Sequence, residues 1–153
     1  MWVALFTVTN VIAMAGWLLL VAVPRKPLTL SLILYMCVAL LCLIYAVCFV
    51  LFLSGSVAPG GLPGAGEPGF SSIEQVRVLF MSDGGVVIGW THYLAFDLFT
   101  GLWIARDADN KGFGRLFQVP FLFATAMAGP IGLLAWLALR EPAARRLGRV
   151  KPT

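Results

Sequence analysis

Residues 89–107 read GWTHYLAFDLFTGLWIARD, from Gly89 to Asp107. Apolar side chains dominate, yet His92 and Asp97 stand in the middle. His92 is the single histidine of the chain, and Asp97 is the single carboxylate within its long apolar runs. The fold turns on whether this stretch crosses a bilayer. An ionised carboxylate near the bilayer centre costs about 2.5–3.5 kcal/mol on insertion scales. A crossing helix must therefore pair the group, hydrate it or keep it protonated. Each option requires a polar interior behind an apolar exterior.

The surrounding sequence favours the crossing. The 153 residues are 60% hydrophobic and only 12% charged, which excludes an ordinary soluble domain. Stretches without charge run through 1–24, 27–66, 84–96 and 116–139. A spanning helix needs about 20 apolar residues. Spans are thus expected near 2–23, 29–53, 85–105 and 118–139, the third only if it continues through Asp97. Runs this continuous exclude the alternation of a membrane barrel. The expected fold is an all-α integral membrane domain over 1–153, a four-helix transmembrane bundle ending in a basic tail at 140–153. Ala13-Met14-Ala15 resembles a signal cleavage site, but no Lys or Arg precedes it and apolar sequence continues beyond, so the first span is read as retained.

Between the second and third spans, Ser54–Phe70 is a Gly/Pro-rich loop. Ser71 or Ser72 followed by Glu74 marks a helix start, and Ile73, Val76, Leu79 and Phe80 recur at helical spacing. Two readings stand: a short amphipathic helix lying over one end of the bundle as a lid, or an ordered loop packing the same residues. Four spans would put both ends of the chain on one side. The loops would then oppose Arg25, Lys26, Arg106, Lys111 and Arg115 to Arg77 and the five tail cations, which leaves orientation open.

The formal charge of +4 comes largely from Arg140, Arg145, Arg146, Arg149 and Lys151. A short basic tail following directly on a span suits anionic headgroups, and no nucleic-acid partner is expected. Cys37, Cys42 and Cys48 match no zinc or redox spacing and read as small packing residues. One histidine and one buried carboxylate are too few ligands for a catalytic metal, and no cofactor is expected.

On a helix of about 100° per residue, Trp90, Tyr93, Asp97, Thr100, Gly101 and Ile104 share one face. His92 falls on the neighbouring face with Phe96, Phe99, Trp103 and Arg106. His92 and Asp97 lie about 140° apart around the axis and about 7.5 Å along it, too far for a direct bond. They can flank a ligand threaded between helices, or each can bond a different neighbour. Asn10, an amide in the first span, serves either as interhelical glue or as a group orienting a carboxylate or a substrate oxygen. Trp90, Tyr93, Phe96, Thr100 and Trp103, with Asn10 and with Phe121 and Thr125 of the fourth span, are the candidate substrate contacts. Arg106 and Asp107 suit an interfacial charge cluster. Pro130 is expected to kink the fourth span and free a carbonyl near residue 126, while Gly129 admits close approach of another helix. That kink opens a cleft beside Asp97 or serves as a packing joint.

The stretch GWTHYLAFDLFTGLWIARDA from Gly89, followed by QVPFLFATAMAGPIGLL from Gln118, resembles the abscisic-acid-deficient-four-like membrane proteins. Asn10, Trp17 and Pro24 in TNVIAMAGWLLLVAVP are similar to that family's first span. The resemblance implies a membrane protein associated with conversion of violaxanthin to neoxanthin, a carotenoid epoxide isomerisation without a cofactor. It implies Asp97 and His92 as the acid–base pair, without fixing which is which. A carboxyl in low dielectric favours its neutral form and suits a general acid, leaving a neutral imidazole as base. The partners implied are a carotenoid or other long isoprenoid, membrane lipids, and a second copy or other carotenoid enzymes. No transit peptide is obvious, which suggests a multi-pass protein of a bacterial inner membrane. Two other readings remain: a non-catalytic carotenoid-binding or scaffold protein, and a small transporter or proton-relay subunit titrating at Asp97.

Overall fold

The computed structural model describes residues 1–60, 66 and 68–150. The described residues form five helices and no strand: α1 (Trp2–Ala22), α2 (Pro27–Leu53), α3 (Ile73–Phe80), α4 (Asp83–Asn110) and α5 (Arg115–Val150). Three segments are long and apolar enough to cross a membrane, namely α1, α2 and residues 115–142 of α5. The protein is therefore a membrane protein. The helix α4 around His92 and Asp97 has ample length but is not among the three, since those two residues and its glycines lower its apolar character.

α4 is the axis of the molecule. Its buried residues Leu98, Leu102, Ile104 and Ala105 join Leu20 of α1, Ile33 and Leu41 of α2, and Leu122 and Trp136 of α5 in one core. The buried residues of α1 (Trp2, Thr9, Ala13, Gly16 and Leu20) recur every three, four or seven positions and so form one stripe. Thr9 and Thr91 are buried there too, and each hydroxyl donates to its own helix, Thr9 to the Phe6 carbonyl at 3.1 Å and Thr91 to that of Val87 at 2.7 Å. Within α2, Ile33–Ala39 are wound as a π-helix, a local widening that proteins often keep at functional sites.

Of the two readings of residues 71–80, the structure has the helix. Ser72 caps α3 by accepting from the Gln75 amide, and α3 packs on the start of α4 through Phe80, which rests on Gly89. In the preceding loop, the Ala58 carbonyl accepts from Trp2 Nε1 at 3.0 Å and that of Pro59 from the Gly84 amide at 2.8 Å. Residues 61–65 and 67 of the loop lie outside the described residues. These contacts make a lid end, holding the start of α1, the end of α2 and the start of α4.

The opposite, basic end is tied by charge. Arg25, whose side chain is 4% exposed, donates to Asp109 at 2.9 Å and to Gln118. Gln118 donates in turn to Asp109 at 2.9 Å and to the Phe113 carbonyl at 3.0 Å. Arg115 donates to the Val23 carbonyl at 2.7 Å, so the turn after α1 is bound to the turn after α4. That second turn closes as a Schellman cap, with Phe113 N bonded to the Ala108 carbonyl and Gly112 in the left-handed region at φ 78°.

The main departure from expectation is α5. Phe121 and Trp136 are fifteen residues apart, about 22 Å along a straight helix, yet their ring centroids are 5.4 Å apart. A Cβ added to Gly132 would strike Thr125, and Trp136 also meets Phe113 at 5.3 Å, back at the foot of the helix. Lys111, before α5 begins, pairs with Glu141 at 3.2 Å. The chain reverses at Ala128, whose φ of −157° and ψ of 68° leave the helix. The segment expected as a kinked fourth span is thus a hairpin of two half-helices that starts and ends at the basic end. Pro130 explains the position of the break, since it offers no amide to continue the first half.

The hairpin changes the charge count. Met1 lies at the lid end and Pro142 at the basic end, so they are on opposite faces of the bundle. Among the described residues, Arg25, Lys26, Arg106, Lys111, Arg115, Arg140 and Arg145 gather at the basic end, against Arg77 alone at the lid. By the positive-inside rule, that bias favours the basic end on the side from which the chain is inserted. In intact cells, an impermeant maleimide is expected to label Ser71→Cys, and to label Gly114→Cys and Arg145→Cys only after permeabilisation. Labelling of Gly114→Cys and Arg145→Cys from opposite sides would refute the hairpin.

Candidate functional site

Half-helices reach only part of the way up the bundle. Arg115–Met127 spans about 18 Å at 1.5 Å per residue, against about 40 Å for α4. Above the hairpin tip, one wall of α4 is left uncovered. Trp90, Tyr93 and Phe96 on it are exposed by 43%, 57% and 56%. His92 stands at one edge of this aromatic wall and the half-buried Asp97 at the other.

The two groups have different neighbours, as their spacing of five residues allowed. Asp97 faces the hairpin tip, where the Gly129 amide donates to its carboxylate. That amide is available because the break at Ala128 removes its helical acceptor, and it opens the second half-helix, whose dipole favours a negative group there. The sequence pointed to a freed carbonyl near residue 126; the group that meets Asp97 is an amide. A Cβ at Gly129 would collide with the Asp97 carboxylate, so only glycine lets the tip come this close. The kink thus packs its tip tightly against Asp97.

His92 belongs to the α2 side. Its ring lies 4.7 Å from that of Phe96, 5.6 Å from Tyr45 and 6.1 Å from Tyr93. With Tyr93 it lines a cleft of about 250 Å³ under the lid, walled by Phe49, Phe70 and Phe80. Beyond Phe96 an apolar groove of about 450 Å³ follows the same seam between Tyr35, Val38 and Cys42 of α2 and Ala95 and Phe99 of α4. The π-helical turn supplies Tyr35 and Val38 to it.

The other sequence candidates divide. Asn10 bridges two helices: its Oδ1 accepts from Trp90 Nε1 at 3.1 Å and its Nδ2 donates to the Phe6 carbonyl at 2.7 Å. Phe121 and Thr125 are buried inside the hairpin, with Thr125 Oγ1 donating to the Phe121 carbonyl at 2.7 Å. They are therefore away from the aromatic wall, and the hairpin fold is the reason. Thr100 is half-buried on α4, and Trp103 lies at the basic end under the Arg140 guanidinium, 5.3 Å from the ring centroid. Asp107 does join a charge cluster, accepting from Arg140 at 3.1 Å and Trp136 Nε1 at 2.9 Å. Arg140, counted with the tail in the sequence, is thereby part of the bundle. Sequence reasoning missed Tyr45, Phe49 and Phe80 as cleft walls. It also missed Arg25 and Gln118, although a lone amide opening an apolar run was a usable signal.

No curated protein and no solved structure matches the chain. The family model described as ABA DEFICIENT 4-like matches residues 4–136, from the first turn of α1 to the Trp136 that closes the hairpin. With all but the first two residues of α1, the whole of α2 to α4 and the hairpin tip inside that match, the chain belongs to the ABA DEFICIENT 4-like (ABA4-like) family.

Proposed function

We propose that this protein modifies a carotenoid or related isoprenoid inside the membrane, as a cofactor-free acid–base isomerase with Asp97 and His92 as its proton-handling groups. The observation that carries this reading is the aromatic wall of Tyr93 and Phe96, open to lipid above the hairpin tip and edged by His92 and Asp97. A flat polyene arriving from the bilayer can lie on those rings and meet both groups. In the epoxide case, one group protonates the ring oxygen as its C–O bond opens. The other removes a proton from the polyene, and the C–H electron pair becomes the new double bond of an allene. The formula is unchanged, so no oxidant or reductant is required. Membership in a family named for abscisic acid deficiency agrees with a carotenoid substrate. In this reading α4 crosses the membrane with α1 and α2, and the protein is a multi-pass resident of a bacterial inner membrane.

A second reading is a carotenoid-binding or scaffold protein. It is favoured by the separate neighbours of Asp97 and His92, because binding alone needs only the apolar seam. Expression in a carotenoid-producing bacterium, with epoxidised and plain carotenoids supplied in turn, separates the two. An isomer of unchanged mass formed only with the protein present is the expected result. Unaltered pigment alongside well-folded protein would leave the binding role.

A further inference from the structure

The seam between α2 and α4 changes character at the basic end. There a cleft of about 290 Å³ lies among Phe99, Trp103, Arg106, Asp107 and Asn110. It shares Leu34 and Phe99 with the apolar groove of about 450 Å³, which runs on to Phe96. The His92 ring stands 4.7 Å from that of Phe96 and begins the cleft under the lid. One slot thus follows α4 with a polar foot and an apolar shaft.

The foot carries both donors and acceptors. Arg106 is exposed and makes no ion pair among the described residues, so its guanidinium is free to donate. Asp107 is fixed by Arg140 and Trp136 and presents acceptor oxygens, while Asn110 can do either. A hydroxyl both donates and accepts and can use all three residues. A phosphate accepts only and would meet the Asp107 carboxylate.

Building on the isoprenoid reading above, we propose that the slot takes a long isoprenoid bearing a hydroxyl end group, with the hydroxyl seated on Arg106, Asp107 and Asn110 and the chain lying along Phe99 and Phe96. The slot then acts as a ruler. Arg106 and His92 are fourteen residues apart, about 21 Å along the helix. The carbon presented to His92 is selected by its distance from the hydroxyl.

The test uses the full chain in nanodiscs of phosphatidylcholine, titrated with a polyene alcohol and with the hydrocarbon of the same length. Binding is followed by tryptophan quenching. The alcohol is expected to bind about tenfold tighter or more, as hydrogen bonds to charged groups predict. In Arg106→Leu and Asn110→Leu that preference is expected to fall toward unity with hydrocarbon binding retained, which also reports that the variants are folded. Equal binding of both polyenes to the wild type would overturn the end-group site and leave the isoprenoid reading standing. Binding of neither would overturn both. Displacement of the alcohol by anionic phospholipid, dependent on Arg106, would show a lipid headgroup site instead and overturn this proposal.

Discussion

Replacing Asp97 with asparagine is expected to lower isomerisation about 10²–10⁴-fold, the usual contribution of a positioned proton-transfer group, while the hairpin stays seated. Asparagine keeps an oxygen that can accept the Gly129 amide, so the tip loses little. It has no carboxyl proton to give and no carboxylate to receive one. Asp97→Ala is a different experiment. It leaves the Gly129 amide without the partner it has in the wild type, in surroundings with little water, and an unsatisfied buried donor costs about 1–3 kcal/mol. The pair of variants therefore separates chemistry from support. Pigment conversion and urea unfolding are measured on both. Loss of conversion in Asp97→Asn at unchanged stability assigns the proton to Asp97. Full conversion by Asp97→Asn would remove it from the mechanism and leave it as an anchor for the hairpin.

The helices and the angular relation of His92 to Asp97 were legible in the sequence, because both follow from local periodicity. At residues 71–80 the cap signal and four apolar residues at helical spacing offered Ser71 or Ser72 and a helix or an ordered loop; the structure has Ser72 as the cap and Ile73–Phe80 as the helix. The hairpin was not legible. An apolar run of 118–139 satisfies length and composition whether it crosses or doubles back, because hydropathy carries no direction. What distinguishes the two is the meeting of Phe121 with Trp136 and of Lys111 with Glu141, pairs fifteen and thirty residues apart. Pro130 gave the break, but a proline alone does not say whether a helix bends or reverses. The orientation stayed open for the same reason, since a full fourth crossing moves the cations from Arg140 onward to the other face. The candidate contacts Phe121 and Thr125 were drawn from a span facing α4, and the reversal turned them inward.

Because the reversal sets Asp97, the orientation and the open wall together, its tightest point should be its most sensitive one. Gly129→Ala is expected to destabilise the protein by about 1–3 kcal/mol, as overpacking does in a close contact. The added methyl would occupy the space of the Asp97 carboxylate, and the carboxylate cannot retreat without giving up the Gly129 amide. Gly129→Val should exceed this, since its extra methyls meet the same atoms. Gly114→Ala is the matched control: nothing lies within 4 Å of a Cβ there, and an effect within about 0.5 kcal/mol is expected. Urea unfolding in detergent micelles, read by tryptophan emission, has a local probe in Trp136 at the heart of the hairpin. Conversion by Gly129→Ala should fall with stability, and at a temperature low enough to restore folding it should remain impaired, because Asp97 is displaced. Equal stability of Gly129→Ala and Gly114→Ala would mean that the tip does not meet Asp97. The half-buried carboxylate would then need another partner in the membrane, and the open wall above the tip would lose its floor.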